Sequence, residues 1–182
     1  MRIVLTPRLC LEPQIAAHAV EMFAVLSDPA IYEFENAPPA SVEWLRQRFS
    51  RLETRRSPDG SEHWLNWVVR LPSSGLVGYV QATVSAGANA AIAYELSSRY
   101  WGMGLGREAV GGMIGALVTD HDVETLSAVL KRANHRSRHL LDRLEFAPGL
   151  ASAARARRRR GGRALDDEKG SNGTLTREPA VR

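Results

Sequence analysis

The chain has 182 residues, of which 44% are hydrophobic and 24% charged. That length suits one domain with a buried core, and no apolar run reaches the roughly 18 residues that a membrane-spanning helix needs. Cys10 is the only cysteine, so the chain can form neither an internal disulfide nor a cysteine metal cluster, and a cytoplasmic protein is the expectation.

The net charge of +4 is unevenly distributed along the chain. Residues 1–150 carry 15 Arg and Lys against 16 Asp and Glu, whereas residues 151–182 carry 9 against 4. We therefore predict one domain at 3–150, followed by an Arg-rich, partly disordered tail at 151–182. Two interpretations of the Arg run stay open. It is a solvated charged tail, or it contacts RNA or the ribosome because its arginines attract the phosphates of the RNA backbone.

The pattern of apolar residues predicts the secondary structure in chain order. The predicted segments are a strand at 3–11, a helix at 16–26, a helix at 41–54, strands at 64–70, 76–85 and 90–96, a helix ending near 120, a strand at 124–130, a helix at 134–144 and a short final edge strand at 173–178. Three successive strands imply an antiparallel meander, and strands flanked by helices give an α/β or α+β fold.

A glycine-rich stretch joins the third meander strand to the long helix, and residues 100–109 read YWGMGLGREA. A strand that turns through glycines into a helix presents unpaired N–H groups at the positive end of the helix dipole, which suits a phosphate. The P-loop motif is excluded because no Lys follows the glycines, and the dinucleotide fingerprint is excluded because Arg107 stands where its third Gly belongs. A plain strand-to-helix turn stays the alternative.

The stretch resembles the acyl-CoA pyrophosphate loop of the GNAT acetyltransferases, in the RimJ/RimL-like branch that is named for enzymes acetylating ribosomal-protein N-termini. Gly104 and Gly106 fall on the required positions, whereas Trp101 stands where Gln or Arg is usual. Three further stretches match the branch in the same order: TPRL at 6–9, LVGY at 76–79 and the N-x-x-S helix at 134–146.

The resemblance implies a GNAT-like fold with a mixed, mostly antiparallel sheet, in which a splayed strand pair forms the acyl-CoA cleft. It also implies acetyl-CoA as the acyl donor. The cofactor-binding residues that it implies are Leu96, Ser97, Trp101, Gly102, Met103, Gly104, Leu105, Gly106, Arg107, Asn134 and Ser137. Main-chain amides of 103–107 would hold the pyrophosphate, and main-chain groups of Leu96 and Ser97 would contact the pantetheine arm.

Acetyl transfer to an amine needs a base for the amine and a proton donor for the leaving thiolate. Glu95 is the candidate base, because it lies on the strand that passes the thioester, and a surface carboxylate is the open alternative. The resemblance places the Ser137 hydroxyl near the sulfur and makes it the hypothetical proton donor. Asn134 could equally cap the helix. The five histidines form no metal-binding pattern, so no metal is expected.

We therefore predict an acetyl-CoA-dependent N-acetyltransferase that acts by direct attack in a ternary complex. Its acceptor is a primary amine, either a protein N-terminal α-amine or a small-molecule amine. The alternative is a non-catalytic acyl-CoA-binding or interaction module. No membrane partner is expected, nucleic acid is expected only at the basic tail, and monomer and homodimer both stay open.

Overall fold

The computed structural model describes residues 1–34, 37–149 and 172–178. The strands are β1 Val4–Leu5, β2 Cys10–Pro13, β3 His63–Leu71, β4 Gly75–Ser85, β5 Asn89–Leu96, β6 Thr125–Lys131, β7 Ala147–Pro148 and β8 Asn172–Arg177. The α-helices are α1 Ala19–Leu26, α2 Val42–Leu52, α3 Leu105–His121 and α4 His135–Asp142, and the short 3-10 helices are Ala16–His18, Pro29–Tyr32 and Ser98–Tyr100. Within the described ranges, no helix combines the length and the apolar character needed to cross a lipid bilayer.

The described strands form one sheet in the order β1-β2-β3-β4-β5-β6-β8-β7. Every neighbouring pair is antiparallel except β5 and β6, which run parallel. The predicted meander is therefore present as β3, β4 and β5, and the predicted mixed, mostly antiparallel sheet with flanking helices is confirmed.

Helices cover both faces of this sheet, because successive side chains on each strand point to opposite faces. Ile92 and Leu96 of β5 are buried in a large apolar cluster with α3 on one face. Val68 of β3 and Leu76 of β4 are buried on the other face, with Met22 of α1 and two residues of α2. Since adjacent residues of β5 face different helices, one strand can serve two separate compartments.

The predicted first strand at 3–11 is wrong, since this stretch forms the two-stranded hairpin of β1 and β2. The turn between the strands is fixed by Thr6, whose main-chain N–H donates to the carbonyl of Leu9 at 2.9 Å. The Thr6 hydroxyl oxygen also accepts from the Leu9 N–H at 3.0 Å. A Thr that satisfies nearby backbone groups favours a turn over a continuous strand.

The final strand lies at 172–177 and not at the edge of the sheet, because β8 sits between β6 and β7. The two-residue β7, which follows α4, takes the outer position instead. The Arg run at 155–160 lies outside the described residues. The division of the chain at residue 150 stays a prediction.

Candidate active site

The strands β5 and β6 separate partway along their length and open a wedge in the sheet. Their pairing runs only from Asn89 opposite Thr125 to Ile92 opposite Ala128. Beyond this point β5 pairs only with β4, as far as Leu96, while β6 pairs only with β8, as far as Lys131. The wedge leaves Val129 of β6 55% exposed, which is apolar surface available to a ligand.

The cleft at this wedge has a volume of about 1170 Å³ and reaches both faces of the sheet. On the α3 and α4 side its lining includes Tyr94, Gly104, Gly106, Arg107, Asn134, Ser137, Leu140 and Arg143. On the α1 and α2 side its lining includes Gln14, Tyr32, Trp44, Arg48, Phe49, Tyr79, Gln81 and Glu95. A single cleft therefore brings together most of the predicted site residues from both sides of β5.

The glycine bend at 102–106 leads directly into α3. Gly102 and Gly104 have φ angles of 75° and 78°, a region that L side chains rarely adopt. Gly104 is the N-cap of α3, so the first N–H groups of the helix have no intrahelical partner. Gly106 packs against α4, because an added Cβ would lie 2.8 Å from the Leu140 side chain. The bend therefore offers main-chain donors beside a wall formed by α4.

The bend is held in place from the other end of the sequence. Arg8 donates to the Met103 carbonyl at 3.0 Å and to the Glu108 carboxylate at 2.6 Å. The main-chain N–H of Arg8 and the hydroxyl of Thr6 both donate to the same carboxylate at 2.7 Å. Burial opposes ionisation of Glu108, but these hydrogen bonds outweigh it and hold its pKa below the usual range. The TPRL segment thus braces the start of α3.

The end of β5 is tied to the loop after α1 by Asp28. Its carboxylate accepts from the Ser98 N–H at 2.7 Å and from the Ser97 hydroxyl at 3.4 Å. Burial raises the pKa of Asp28, but these bonds and one from Ala30 N–H more than offset that effect, so the pKa is lowered. Asp28 therefore fixes the path of the chain from β5 into the glycine bend.

Two of the expected pantetheine contacts already have partners within the protein. The Ser97 N–H donates to the Val77 carbonyl at 2.9 Å, so this donor is taken. The Leu96 carbonyl accepts from the Trp101 indole N–H at 2.9 Å, but a carbonyl has a second lone pair. Since ladder contacts alternate along an antiparallel pair, Ser97 bonding to β4 directs the main-chain groups of Leu96 and Tyr94 toward the wedge. The sequence reasoning missed Tyr94 in this position.

The α4 wall of the cleft is organised by a cap and by a phenol. Asn134 caps α4, because its side-chain oxygen accepts from the Ser137 N–H at 3.0 Å. The Tyr94 hydroxyl crosses from β5 and donates to the Ser137 carbonyl at 3.2 Å. Burial, and next the charge of Glu95, raise the pKa of Tyr94 to about 12, so this phenol is neutral near pH 7. Asn134 and Ser137 both line the cleft, as the resemblance implied.

Glu95 lies on the opposite face of β5 from Tyr94, toward α1 and α2. It is half-buried and lines the cleft. The phenol of Tyr32 lies on this side and donates to the Leu26 carbonyl at 2.7 Å. Burial, then the charges of Glu95 and Asp28, raise the pKa of Tyr32 to about 12. The two residues proposed for proton transfer, Glu95 and Ser137, thus border different compartments of one cleft.

An arginine bridges the mouth of the cleft. The guanidinium of Arg136, on α4, lies 4.0 Å above the Trp101 ring and pairs with Glu33 at 2.7 Å. It also lies 5.9 Å from the ring of Phe34. Sequence spacing could not reveal this bridge, because Glu33 and Arg136 are 103 positions apart. The contact joins the α4 wall to the loop that follows α1.

Two of the histidines, His135 and His139, lie on α4 and line the cleft. His139 accepts a hydrogen bond from Arg143 at 2.9 Å on the exposed side of α4. In the described part of the chain, no group of three or more His, Cys, Asp and Glu side chains is placed to hold a metal ion. Cys10 lies on β2, and burial, then the charge of Glu12, raise the pKa of its thiol. A neutral thiol on β2 takes no part in the arrangement around the wedge.

A family model described as an acetyltransferase (GNAT) domain matches residues 8–147. The chain therefore belongs to the GNAT acetyltransferase family. That membership supports the enzyme class expected from the sequence, an acetyl-CoA-dependent N-acetyltransferase. No individually curated protein matches the chain.

Solved structures with the same fold include three acetyltransferases that are named for their acceptors. RimL, the ribosomal L7/L12 alpha-N-protein acetyltransferase in complex with coenzyme A, has a TM-score of 0.77 at 14% identity over 97% of this chain and 98% of that one. The ribosomal-protein-S5-alanine acetyltransferase from Vibrio fischeri has 0.75 at 16%, over 98% and 97%. A spermidine N-acetyltransferase SpeG chimera, from Vibrio cholerae and hSSAT, has 0.73 at 13%, over 94% and 95%. At these identities the likeness is one of fold.

Proposed function

We propose that this protein transfers an acetyl group from acetyl-CoA to a primary amine by direct attack in a ternary complex, and that the amine is a protein N-terminal α-amine or a small-molecule amine. The observation that carries the proposal is the single cleft that joins the glycine bend to the opposite face of β5. Donor and acceptor can then enter from different faces and meet at the splayed part of the strand. The cytoplasmic location expected from the sequence stays a prediction.

The residues around the bend fit an acyl-CoA. Unpaired N–H groups from Met103 to Arg107 suit a diphosphate at the start of α3, and the exposed Arg107 side chain adds positive charge. The lack of a side chain at Gly102, Gly104 and Gly106 lets an anion approach the backbone. Trp101 supports this segment through its bond to Leu96.

The wedge suits an extended pantetheine arm. Its walls are the main chain of Tyr94 and Leu96 on β5, the exposed Val129 of β6 and the capped start of α4 at Asn134. Since the Ser97 N–H donates to Val77 and the Ser97 carbonyl accepts from the Tyr100 N–H at 3.0 Å, we assign the donor role in the wedge to the main-chain N–H of Leu96. A preorganised main-chain donor beside the acetyl carbonyl polarises it without a reorganisation cost.

Acetyl-CoA supplies an activated acyl group, and the chain supplies the proton transfers. The bond that forms joins the amine nitrogen to the acetyl carbonyl carbon, and the bond that breaks joins that carbon to sulfur. Glu95, directly or through one water, accepts the proton that the amine loses. The Ser137 hydroxyl, on the other side of β5, donates a proton to the departing sulfur and takes one from water at the same time, so that the products are a neutral thiol and a restored hydroxyl. Glu95 and Ser137 lie on opposite sides of β5, and the proposed reaction needs the amine on one side of the acetyl carbon and the departing sulfur on the other.

Isothermal titration with acetyl-CoA tests the donor site. Gly104→Glu should abolish binding, because it places a side chain and a negative charge at the phosphate position, and Arg107→Glu should weaken binding about tenfold or more without backbone strain. Gly115→Glu is the matched control: it adds the same charge to α3 at an exposed position with open space around it. If both Gly104→Glu and Arg107→Glu bound acetyl-CoA as tightly as the wild type, the glycine bend would not be the phosphate site.

Thiol release with a panel of amines tests catalysis. Turnover that depends on both acetyl-CoA and an amine is the expected result. Tight acetyl-CoA binding with no thiol release from any amine would instead favour the non-catalytic acyl-CoA-binding module.

A further inference from the structure

The acceptor side of the cleft contains a buried amide donor without a partner. Gln14 lines the cleft and is 3% exposed, yet its side-chain nitrogen makes no hydrogen bond within the described part of the chain. Its main-chain groups are both satisfied, by Asn66 at 2.9 Å and by the guanidinium of Arg55. A buried donor left unpaired is costly, so Gln14 is placed to meet an oxygen atom that a ligand brings.

Gln14 lies far from the reacting end of the acceptor. Its bond to Asn66 of β3 continues a row that runs through Gln81 of β4 to Ala93 of β5, two residues before Glu95. Three strand spacings of about 4.8 Å and two residues along β5 separate the two side chains by roughly 15 Å. An extended peptide advances about 3.3–3.6 Å per residue, so roughly four residues span this interval.

The helix above this row supplies positive charge. α2 is anchored over the start of the row, since Glu53 accepts from the Ala16 N–H and Arg55 donates to the Gln14 carbonyl. Arg48 lies one to two turns earlier on α2, lines the cleft and has no ion-pair partner among the described residues. Its guanidinium lies 5.7 Å from the ring of Trp44, which is 43% exposed.

The charges around the cleft disfavour a polycation. On the α1 and α2 side, the described lining contains one carboxylate, Glu95, and one arginine without an ion-pair partner, Arg48. Arg107 and Arg143 line the α3 and α4 side, and Arg136 is paired with Glu33. One carboxylate suffices for one amine, but a polyamine brings further ammonium groups and no oxygen for Gln14. The cleft lining also includes four aromatic side chains, namely Tyr32, Phe34, Trp44 and Phe49.

We propose that Gln14 and Arg48 form a distal acceptor subsite that selects an extended peptide with an acidic residue at about its fourth position. Gln14 donates to a peptide or side-chain oxygen, and Arg48 attracts the carboxylate. The α-amine of the same peptide lies at Glu95. This inference rests on the proposed acetyl transfer and adds a sequence preference to it.

Four C-terminally amidated pentapeptides that differ only in having Asp, Asn, Lys or Leu at position 4, together with spermidine, test the subsite. The kcat/KM value should be highest for Asp, about tenfold above Lys, and above that for spermidine. Arg48→Glu should invert the ranking of Asp and Lys. Arg46→Glu is the matched control, since Arg46 is exposed on the same helix and does not line the cleft.

Gln14→Leu should lower kcat/KM about fivefold for every peptide while leaving that for spermidine unchanged, because only the peptides offer an oxygen. The variant is expected to fold, since it removes an unpaired buried polar group. Spermidine preferred over all peptides, or an Asp to Lys ratio unaltered by Arg48→Glu, would overturn the subsite alone. The absence of thiol release with any amine would overturn the proposed function instead.

Discussion

Arg8 and Glu108, 100 positions apart in sequence, form an ion pair at 2.6 Å that fastens the N-terminal hairpin to the first turn of α3. The same arginine donates to the Met103 carbonyl inside the glycine bend. The TPRL segment and the glycine stretch are separate motifs in the sequence, but in the structure they form one hydrogen-bonded unit. The conformation of the proposed phosphate site depends on residues from the start of the chain.

Breaking this unit should weaken acetyl-CoA binding more than it weakens the fold. We expect Arg8→Ala to cost about 1 kcal/mol of unfolding free energy, because the Arg8 side chain is half exposed. Its acetyl-CoA Kd should rise about tenfold as the bend loosens. Arg2→Ala is the matched control, since it removes the ion pair with Asp120 at the far end of α3. Equal acetyl-CoA Kd values for the two variants would show that the Arg8 contacts do not hold the glycine bend in its binding conformation.

The Glu108 carboxylate should make stability depend on pH. Its pKa in the folded protein lies below the usual range, because hydrogen bonds from Thr6 and Arg8 outweigh its burial. The stabilisation is therefore present above the unfolded-state pKa of roughly 4.3 and is lost as pH falls through the lower folded-state pKa. Tm measured from pH 7 to pH 3 should fall more steeply for the wild type than for Glu108→Gln. A constant Tm difference between the two proteins would contradict this assignment.

The two proton-transfer residues should be separable by kinetics. Glu95→Gln should lower kcat about 100-fold or more, since general bases contribute factors of this size. Ser137→Ala should lower kcat about tenfold, with a much smaller change in the acetyl-CoA Kd. Glu124→Gln, an exposed carboxylate outside the cleft, is the control. A Glu95→Gln variant with full kcat would show that water alone, or another group, accepts the amine proton.

Two phenols that donate to carbonyls on opposite sides of β5 should have different kinetic signatures. Tyr94→Phe releases the Ser137 carbonyl on α4, so we expect the acetyl-CoA Kd to rise about fivefold. Tyr32→Phe releases the Leu26 carbonyl on the acceptor side, so the amine KM should rise by a similar factor. Each variant is the control for the other. If both changed the same constant, the division of the cleft into donor and acceptor sides would be wrong.

Sequence patterns predicted most elements because their periodicity is strong. The meander, α2 with its Ser41 cap and α4 with its Asn134 cap all lie close to their predicted bounds. The hairpin at the N-terminus was missed because the turn chemistry of Thr6 competes with the weak alternation on either side. The inner position of β8 could not be predicted, since it depends on where β7 lies after α4.

The parts of the candidate site that are short sequence motifs could be predicted, whereas contacts between residues far apart in sequence could not. The resemblance placed the glycine bend, Glu95 and the Asn134–Ser137 pair around one acyl-CoA site, and in the structure they line one cleft. The phenol of Tyr94 reaches across 43 positions and the guanidinium of Arg136 across 103, and no local pattern indicates such contacts. Likewise, the partner of the Ser97 N–H became evident only from the pairing of β4 and β5.

The interior place of β8 affects how the basic segment can be studied. Ending the chain after residue 150 would remove the Arg run together with six residues that pair with β6. The backbone of β6 would then form an unprotected edge, which is a template for aggregation. RNA binding lost in such a protein would report on a damaged sheet as well as on missing charge. Replacing the arginines at 155 and 157–160 with glutamine keeps β8 in the chain and isolates the electrostatic contribution.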